Sequence, residues 1–178
     1  MRSTRSRRHT RLAGALVALG VVATACGGSD DETRTVTAAD YAFQDLPSRV
    51  DAGTTLDLTN VSAREIHEMV VIRIPDNEQR PVQELVNLPE SEQEAIFGNA
   101  EPAMVLVAPP NGGEVIKAVG DGTLTEPGRY AVVCFIPVGA DPAAYLAAAQ
   151  NPDGGPPPDV GGGPPHVTQG MFGEITVE

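Results

Sequence analysis

Over most of the chain, apolar and polar residues alternate in short stretches separated by turn residues. A period of two over four to eight residues marks strands with one buried face. Thr35 to Phe43 reads as a first strand, and Leu46 to Gly53 as a short edge piece ending in a turn. Thr54 to Thr59 alternates with Leu56 and Leu58 on one face, while Ile66 to Ile74 is β-branched enough for a buried strand. Ala103 to Val107 and Glu114 to Val119 form a further pair around Pro109-Pro110-Asn111-Gly112-Gly113. Arg129 to Ile136 and Gly173 to Val177 complete the set. Seven or eight short strands with turns between them predict an all-β fold, a Greek-key β-sandwich.

Two stretches break the alternation. Arg80 to Phe97 is polar-rich and predicts short helices around Val82 to Val86 and Ser91 to Phe97, with Gly98 placed to end the second. The other break is the 31 residues between Cys134 and His166. Asp141-Pro142 supplies an N-cap and a proline at the first helical position, so Ala143 to Ala149 reads as a helix. Asn151 to Pro165 holds 11 Gly or Pro among 15 residues and predicts a structureless loop. These breaks place insertions at about 78–99 and 138–165 in a single domain spanning 34–178.

The first 25 residues read as a leader rather than as fold. Arg2, Arg5, Arg7, Arg8 and Arg11 form a basic head before the apolar run Leu12 to Val22, which is too short for a stable membrane span. Ala23-Thr24-Ala25-Cys26 resembles a bacterial lipobox, in which the cysteine becomes the lipidated N-terminus. Residues 26–33 then form a polar tether. The expected product is an extracytoplasmic domain held by lipid on the outer face of the cell membrane, exported by the general or the twin-arginine route.

Charge narrows the partners. Without the five leader arginines the chain keeps seven basic and 24 acidic residues, a balance of −17. Nucleic acid is therefore excluded as a partner, because phosphates demand Lys and Arg. A basic partner protein fits, met by electrostatic steering, and a monomer is expected.

The remaining chemistry is concentrated in four residues. His9 lies in the leader and Cys26 at its end, so the domain retains two histidines, His67 and His166, and one cysteine, Cys134. Met171 follows His166 by five positions. Two imidazoles, a thiolate and a weak thioether are the ligand set of a blue-copper electron-transfer site. A lone thiol outside the cell is a liability unless a metal or the core holds it.

Asn60…His67 and Tyr130-Ala131-Val132-Val133-Cys134…His166-Val167-Thr168-Gln169-Gly170-Met171, running on through Val177, resemble the plastocyanin/azurin-like cupredoxins, as do Asp40-Tyr41-Ala42-Phe43 and Ala52-Gly53-Thr54-Thr55. The resemblance covers roughly Thr35 to Ile74 and Gly128 to Glu178, not the helical insertion. It implies a cupredoxin-like sandwich with one type 1 copper bound by His67, Cys134, His166 and Met171, and a redox partner protein. Two departures stand out. The Cys-to-His loop is much longer than in simple members of the family, leaving His166 less locally constrained. Glu68 stands where Asn is frequent, which alters the hydrogen bonds near the thiolate.

Other functions remain open on sequence. The same ligands suit copper(I) handling without redox work, and a copper-free interaction module is the third reading. An enzyme is not expected: copper oxidases and nitrite reductases need further histidines, and nothing marks an oxyanion site beside Cys134.

Overall fold

The computed structural model describes residues 32–98, 100–150 and 160–178. The leader, the tether up to residue 31, Cys26 and residues 151–159 lie outside the described residues. Ten strands, three α-helices and two 3₁₀ turns follow one another among them.

The strands are β1 (Thr33–Ala39), β2 (Ala42–Gln44), β3 (Arg49–Val50), β4 (Thr54–Asn60), β5 (His67–Arg73), β6 (Met104–Ala108), β7 (Ile116–Val119), β8 (Thr123–Leu124), β9 (Gly128–Val133) and β10 (Phe172–Val177). One sheet runs β2-β1-β4-β8 and the other β3-β10-β9-β5-β6-β7. The β1–β4 and β10–β3 pairs are parallel, and the other strand pairs are antiparallel. The expected β-sandwich is therefore present. The expected first strand is instead a hairpin, because Tyr41 turns the chain at φ 61° and sends Ala42–Gln44 back along β1. Thr123–Leu124 was not legible, since a two-residue strand carries no period.

The core lies between the sheets. Leu56 and Leu58 of β4 face Met69 and Val71 of β5, Leu106 of β6, Tyr130 and Val132 of β9, and Ile175 and Val177 of β10. These positions alternate as a pleated strand requires. Each fully buried Leu or Ile contributes about 2 kcal/mol by removal of apolar surface from water. The Tyr130 hydroxyl donates to the Glu126 carbonyl at 2.7 Å, so the phenol enters the core with its polar end paired.

The first insertion covers the outer face of the larger sheet. Helices α1 (Val82–Leu85) and α2 (Glu90–Phe97) appear where expected. Val82 and Leu85 bury against Ile74 and Ala131 in a second small core, with Phe97 and Phe172 packed beside it. A guanidinium fastens this cover. Arg129 donates to both carboxylate oxygens of Glu174, at 2.7 and 3.0 Å, and to the carbonyls of Glu78 and Arg80, each at 2.8 Å. Glu174 also accepts the N–H of Val82, the first residue of α1, at 3.2 Å.

The Arg129 hydrogen bonds hold the Glu174 carboxyl below its ordinary value of 4.5, against a smaller opposing effect of burial. A lowered folded-state pKa stabilises above the unfolded value and ceases to do so as pH falls through the folded value. Glu174→Gln is therefore expected to lower stability by about 1 kcal/mol at pH 7. In urea melts the difference from the parent should vanish below the carboxylate range.

Candidate metal centre

The site begins with strand pairing. β5 and β9 are antiparallel neighbours, with Val70 opposite Val133. His67 opens β5, and Cys134 directly follows the last residue of β9. An antiparallel pair brings the start of one strand to the end of the other, so imidazole and thiol meet at one end of the sandwich. Alternation sets His67 on the inner face with Met69 and Val71.

His166 reaches the same place from the far side of the long loop. It opens a 3₁₀ turn, His166–Gln169, behind Pro165. Its N–H donates to the Ile136 carbonyl at 2.9 Å, and the next N–H, of Val167, donates to the Cys134 carbonyl at 2.8 Å. Pro137 bridges to Pro165, while Val138 and Gly163 pair at 2.8 Å and Val138 with Pro164 at 3.0 Å. The loop is thus pinched at its base into a short β-like stem. The expectation that a long loop leaves His166 weakly constrained is corrected: both flanks of the insertion are zipped together beside the ligand. Residues 160–165 belong to this stem rather than to a structureless loop.

The three candidate donors converge. The Nδ1 atoms of His67 and His166 lie 3.1 Å apart, and Cys134 Sγ is 3.4 Å from His166 Nδ1. His67, Cys134 and His166 are fully buried and their ligand atoms lie within 4.8 Å of one another. Met171 is also fully buried, on the same loop. Its N–H donates to the His166 carbonyl at 3.1 Å, and its carbonyl accepts the Cys134 N–H at 3.2 Å. Gly170 permits this return at φ 105°, in the left-handed region that side chains avoid. At Gly173 a Cβ would meet the tip of the Leu46 side chain, so the leucine packs directly over the glycine.

Polar neighbours hold the donors in place. Asn60 is buried and donates to the carbonyls of Glu65 and Ala108 at 2.9 and 3.0 Å, while its own carbonyl accepts the Ser62 N–H at 2.9 Å. It thereby fixes the loop that delivers His67. The Glu68 N–H points at Cys134 Sγ from 3.4 Å. Glu65 Oε2 lies 3.3 Å from His166 Nε2, and the Tyr41 ring packs edge-on against His166 with centroids 5.1 Å apart. Among these, Asn60, Glu68 and Tyr41 all stand out in the sequence, Tyr41 as part of the first strand and of the Asp40-Tyr41-Ala42-Phe43 match rather than as a neighbour of His166. Glu65 and Tyr145 carried no signal, because their roles depend on partners 101 and 77 positions away, His166 and Glu68.

Electrostatics describe a pocket adapted to neutral forms. Burial, reinforced by the other imidazole, lowers His67 to about 4. Burial also lowers His166, opposed by Glu65. The Cys134 thiol is pushed far up by burial and then by the Glu68 carboxyl. Without a cation the site therefore holds a thiol and two neutral rings. A thiolate here needs a positive ion beside it, so metal binding would release the thiol proton. Both Nδ1 atoms and Sγ converge on one point, with the Glu68 N–H also directed at the sulfur, and this arrangement fits a soft N₂S metal site.

An apolar cavity of about 380 Å³ lies beside the centre, between α2 and the metal-loop residues Phe135, Pro165 and Val167. Phe135 is 47% exposed, whereas His166 is fully covered.

No family model and no curated protein matches the sequence. Among solved structures, the chain is similar to dithionite-reduced auracyanin from the photosynthetic bacterium Roseiflexus castenholzii. The identity is 17%, covering 85% of this chain and 99% of that one, at a TM-score of 0.43. It is similar too to auracyanin A, described as a "blue" copper protein from Chloroflexus aurantiacus, at 16% identity over 82% of this chain and 99% of that one, TM-score 0.38. Auracyanin B gives 16% identity over 83% and 88%, TM-score 0.34. Likeness at this level decides no chemistry, which rests instead on the geometry of the site.

Asn60→Ala would leave two carbonyls and one N–H without their partner in the loop before His67. It is expected to cost about 2–3 kcal/mol in chemical denaturation. In NMR spectra of the metal-free protein, the His67 ring signals should broaden.

Proposed function

We propose that this domain is a cupredoxin that binds one copper ion in a type 1 site and carries single electrons. His67 and His166, through Nδ1, and Cys134, through Sγ, are its strong ligands, with Met171 as the weak axial ligand. The observation that carries the reading is the convergence of two Nδ1 atoms and one Sγ in a fully buried cluster at the ends of paired strands. The bound metal would supply a one-electron couple that side chains do not provide. The protein supplies rigidity. β5, β9 and the pinched stem hold the donors in one arrangement, so little has to move between oxidised and reduced states. Asn60 keeps the His67 loop in register, and the Glu68 N–H steadies the sulfur.

Exchange with a partner would favour the Phe135 side, where the residue after the thiol reaches solvent, over the covered His166 ring. The acidic balance suits a redox partner with a basic face. Among the described residues, no helix is long and apolar enough to cross a membrane. Anchorage would rest on Cys26, lipidated after removal of residues 1–25 and followed by the tether, which would place the domain outside the cytoplasm.

Titration of the purified protein with Cu(II) is expected to produce an intense blue thiolate-to-copper band at one equivalent. A colourless protein that binds only Cu(I) would instead indicate metal handling, and one that binds neither an interaction module. Cys134→Ser should abolish the band. Met171→Leu should keep copper and colour but shift the reduction potential in voltammetry; an unchanged potential would remove Met171 from the ligand set.

A further inference from the structure

The second insertion does more than connect Cys134 to His166. Above the stem, helix α3 (Pro142–Ala149) is capped by Asp141, whose carboxylate accepts the N–H groups of Ala143 and Ala144. The helix turns Tyr145 back toward β5, and the tyrosine hydroxyl donates to Glu68 Oε2 at 2.6 Å. The other oxygen of Glu68, Oε1, accepts the Phe135 N–H at 3.0 Å. Phe135 is the residue after Cys134, and the Glu68 N–H faces the sulfur itself at 3.4 Å. Tyr145 and Glu68 are each only 6% exposed. A second arm is parallel to the first: the Gly139 N–H, also in the insertion, donates at 2.9 Å to the Glu65 oxygen that approaches His166 Nε2.

A carboxylate is a costly group to bury, and an apolar side chain of similar volume would fill the space more cheaply. What a carboxylate adds is direction. One oxygen grips the main chain that carries the sulfur and the other is gripped by the insertion. Polar partners of metal ligands commonly set ligand orientation in this way.

We propose that the inserted segment is a brace for the metal centre, in which Tyr145 is a positioning residue acting through Glu68 on the Cys134 thiol. Loss of the tyrosine hydroxyl leaves Glu68 Oε2 with no donor among the described residues. The carboxylate is then free to swing toward water and release the Phe135 N–H, and the sulfur loses its fixed aim. As it concerns copper, the proposal rests on the type 1 reading of the site; as it concerns the backbone, it stands without metal.

The test compares the parent protein with Tyr145→Phe, which keeps the ring and removes one hydroxyl. Tyr130→Phe, which loses a core hydroxyl far from Glu68 in the hydrogen-bond network, is the control. Hydrogen exchange of the metal-free proteins should show the Phe135 amide at least about tenfold less protected in Tyr145→Phe and unchanged in Tyr130→Phe, since one lost hydrogen bond is worth about that factor. After loading with Cu(II), Tyr145→Phe should shift the thiolate band, the copper hyperfine coupling and the reduction potential, and Tyr130→Phe should not. Unchanged exchange, or faster exchange with an unshifted band and potential, would overturn the proposal. A parent that forms no blue band would remove the copper reading, and exchange at Phe135 alone would then decide the brace. Should Tyr145→Phe fail to fold, Glu68→Gln retains an acceptor for Phe135 while changing the group beside the sulfur. It is expected to stay blue with a shifted potential, and an unshifted one would count against the brace.

Discussion

The antiparallel pairing of β5 with β9 is the constraint on which the rest of the site depends. It brings the first residue of one strand and the residue just past the end of the other to one place, although they are far apart in the chain. The main chain that carries both residues belongs to the body of the fold, because Met69, Val71, Tyr130 and Val132 of the same two strands lie in the core. The geometry of the candidate donors and the packing of the core are thereby linked. His166 and Met171 join from a loop, but that loop is fastened to the end of β9 by main-chain hydrogen bonds at Cys134 and Ile136.

Covering the sheet is the second requirement. β5 is buried along most of its length on both faces, which an antiparallel sheet does not need when one side meets water. Two insertions contribute to this cover. Helices α1 and α2 close over Ile74 and Ala131, and α3 closes over Glu68 through Tyr145. Arg129 links the first cover to β10 through Glu174, so the helices are fixed by a charge-assisted contact as well as by a small apolar core. The insertions differ in what they meet: one seals apolar side chains, and the other meets polar groups adjoining the donors.

Two acidic residues, Glu65 and Glu68, stand beside two buried imidazoles and a buried thiol. Burial drives all three donors toward neutral forms, and the Glu68 carboxyl further opposes a bare thiolate. Such a pocket is unfavourable ground for a free anion and favourable ground for a cation, which is the electrostatic condition for a soft metal site. The carboxyl groups are also tied to main-chain N–H donors at Phe135 and Gly139, so they shape the site as well as charge it.

The sequence by itself determined the elements with strong local periodicity or punctuation. The alternation of Leu56 and Leu58, the β-branched run through β5, the Asp141-Pro142 cap and the short helices before Gly98 all appear where the chain wrote them. It also narrowed the candidate donors, because a domain with two histidines and one cysteine has few ways to build a soft site. Tertiary structure decided the rest. Tyr41 left the strand for a left-handed turn against His166, since alternation records which face a residue prefers and not where the chain reverses. Glu65, Tyr145 and the stem that closes the long loop acquire meaning only through partners remote in sequence. A run of Gly and Pro announces the absence of local order, but whether its ends are held together depends on hydrogen bonds between residues that local pattern does not relate.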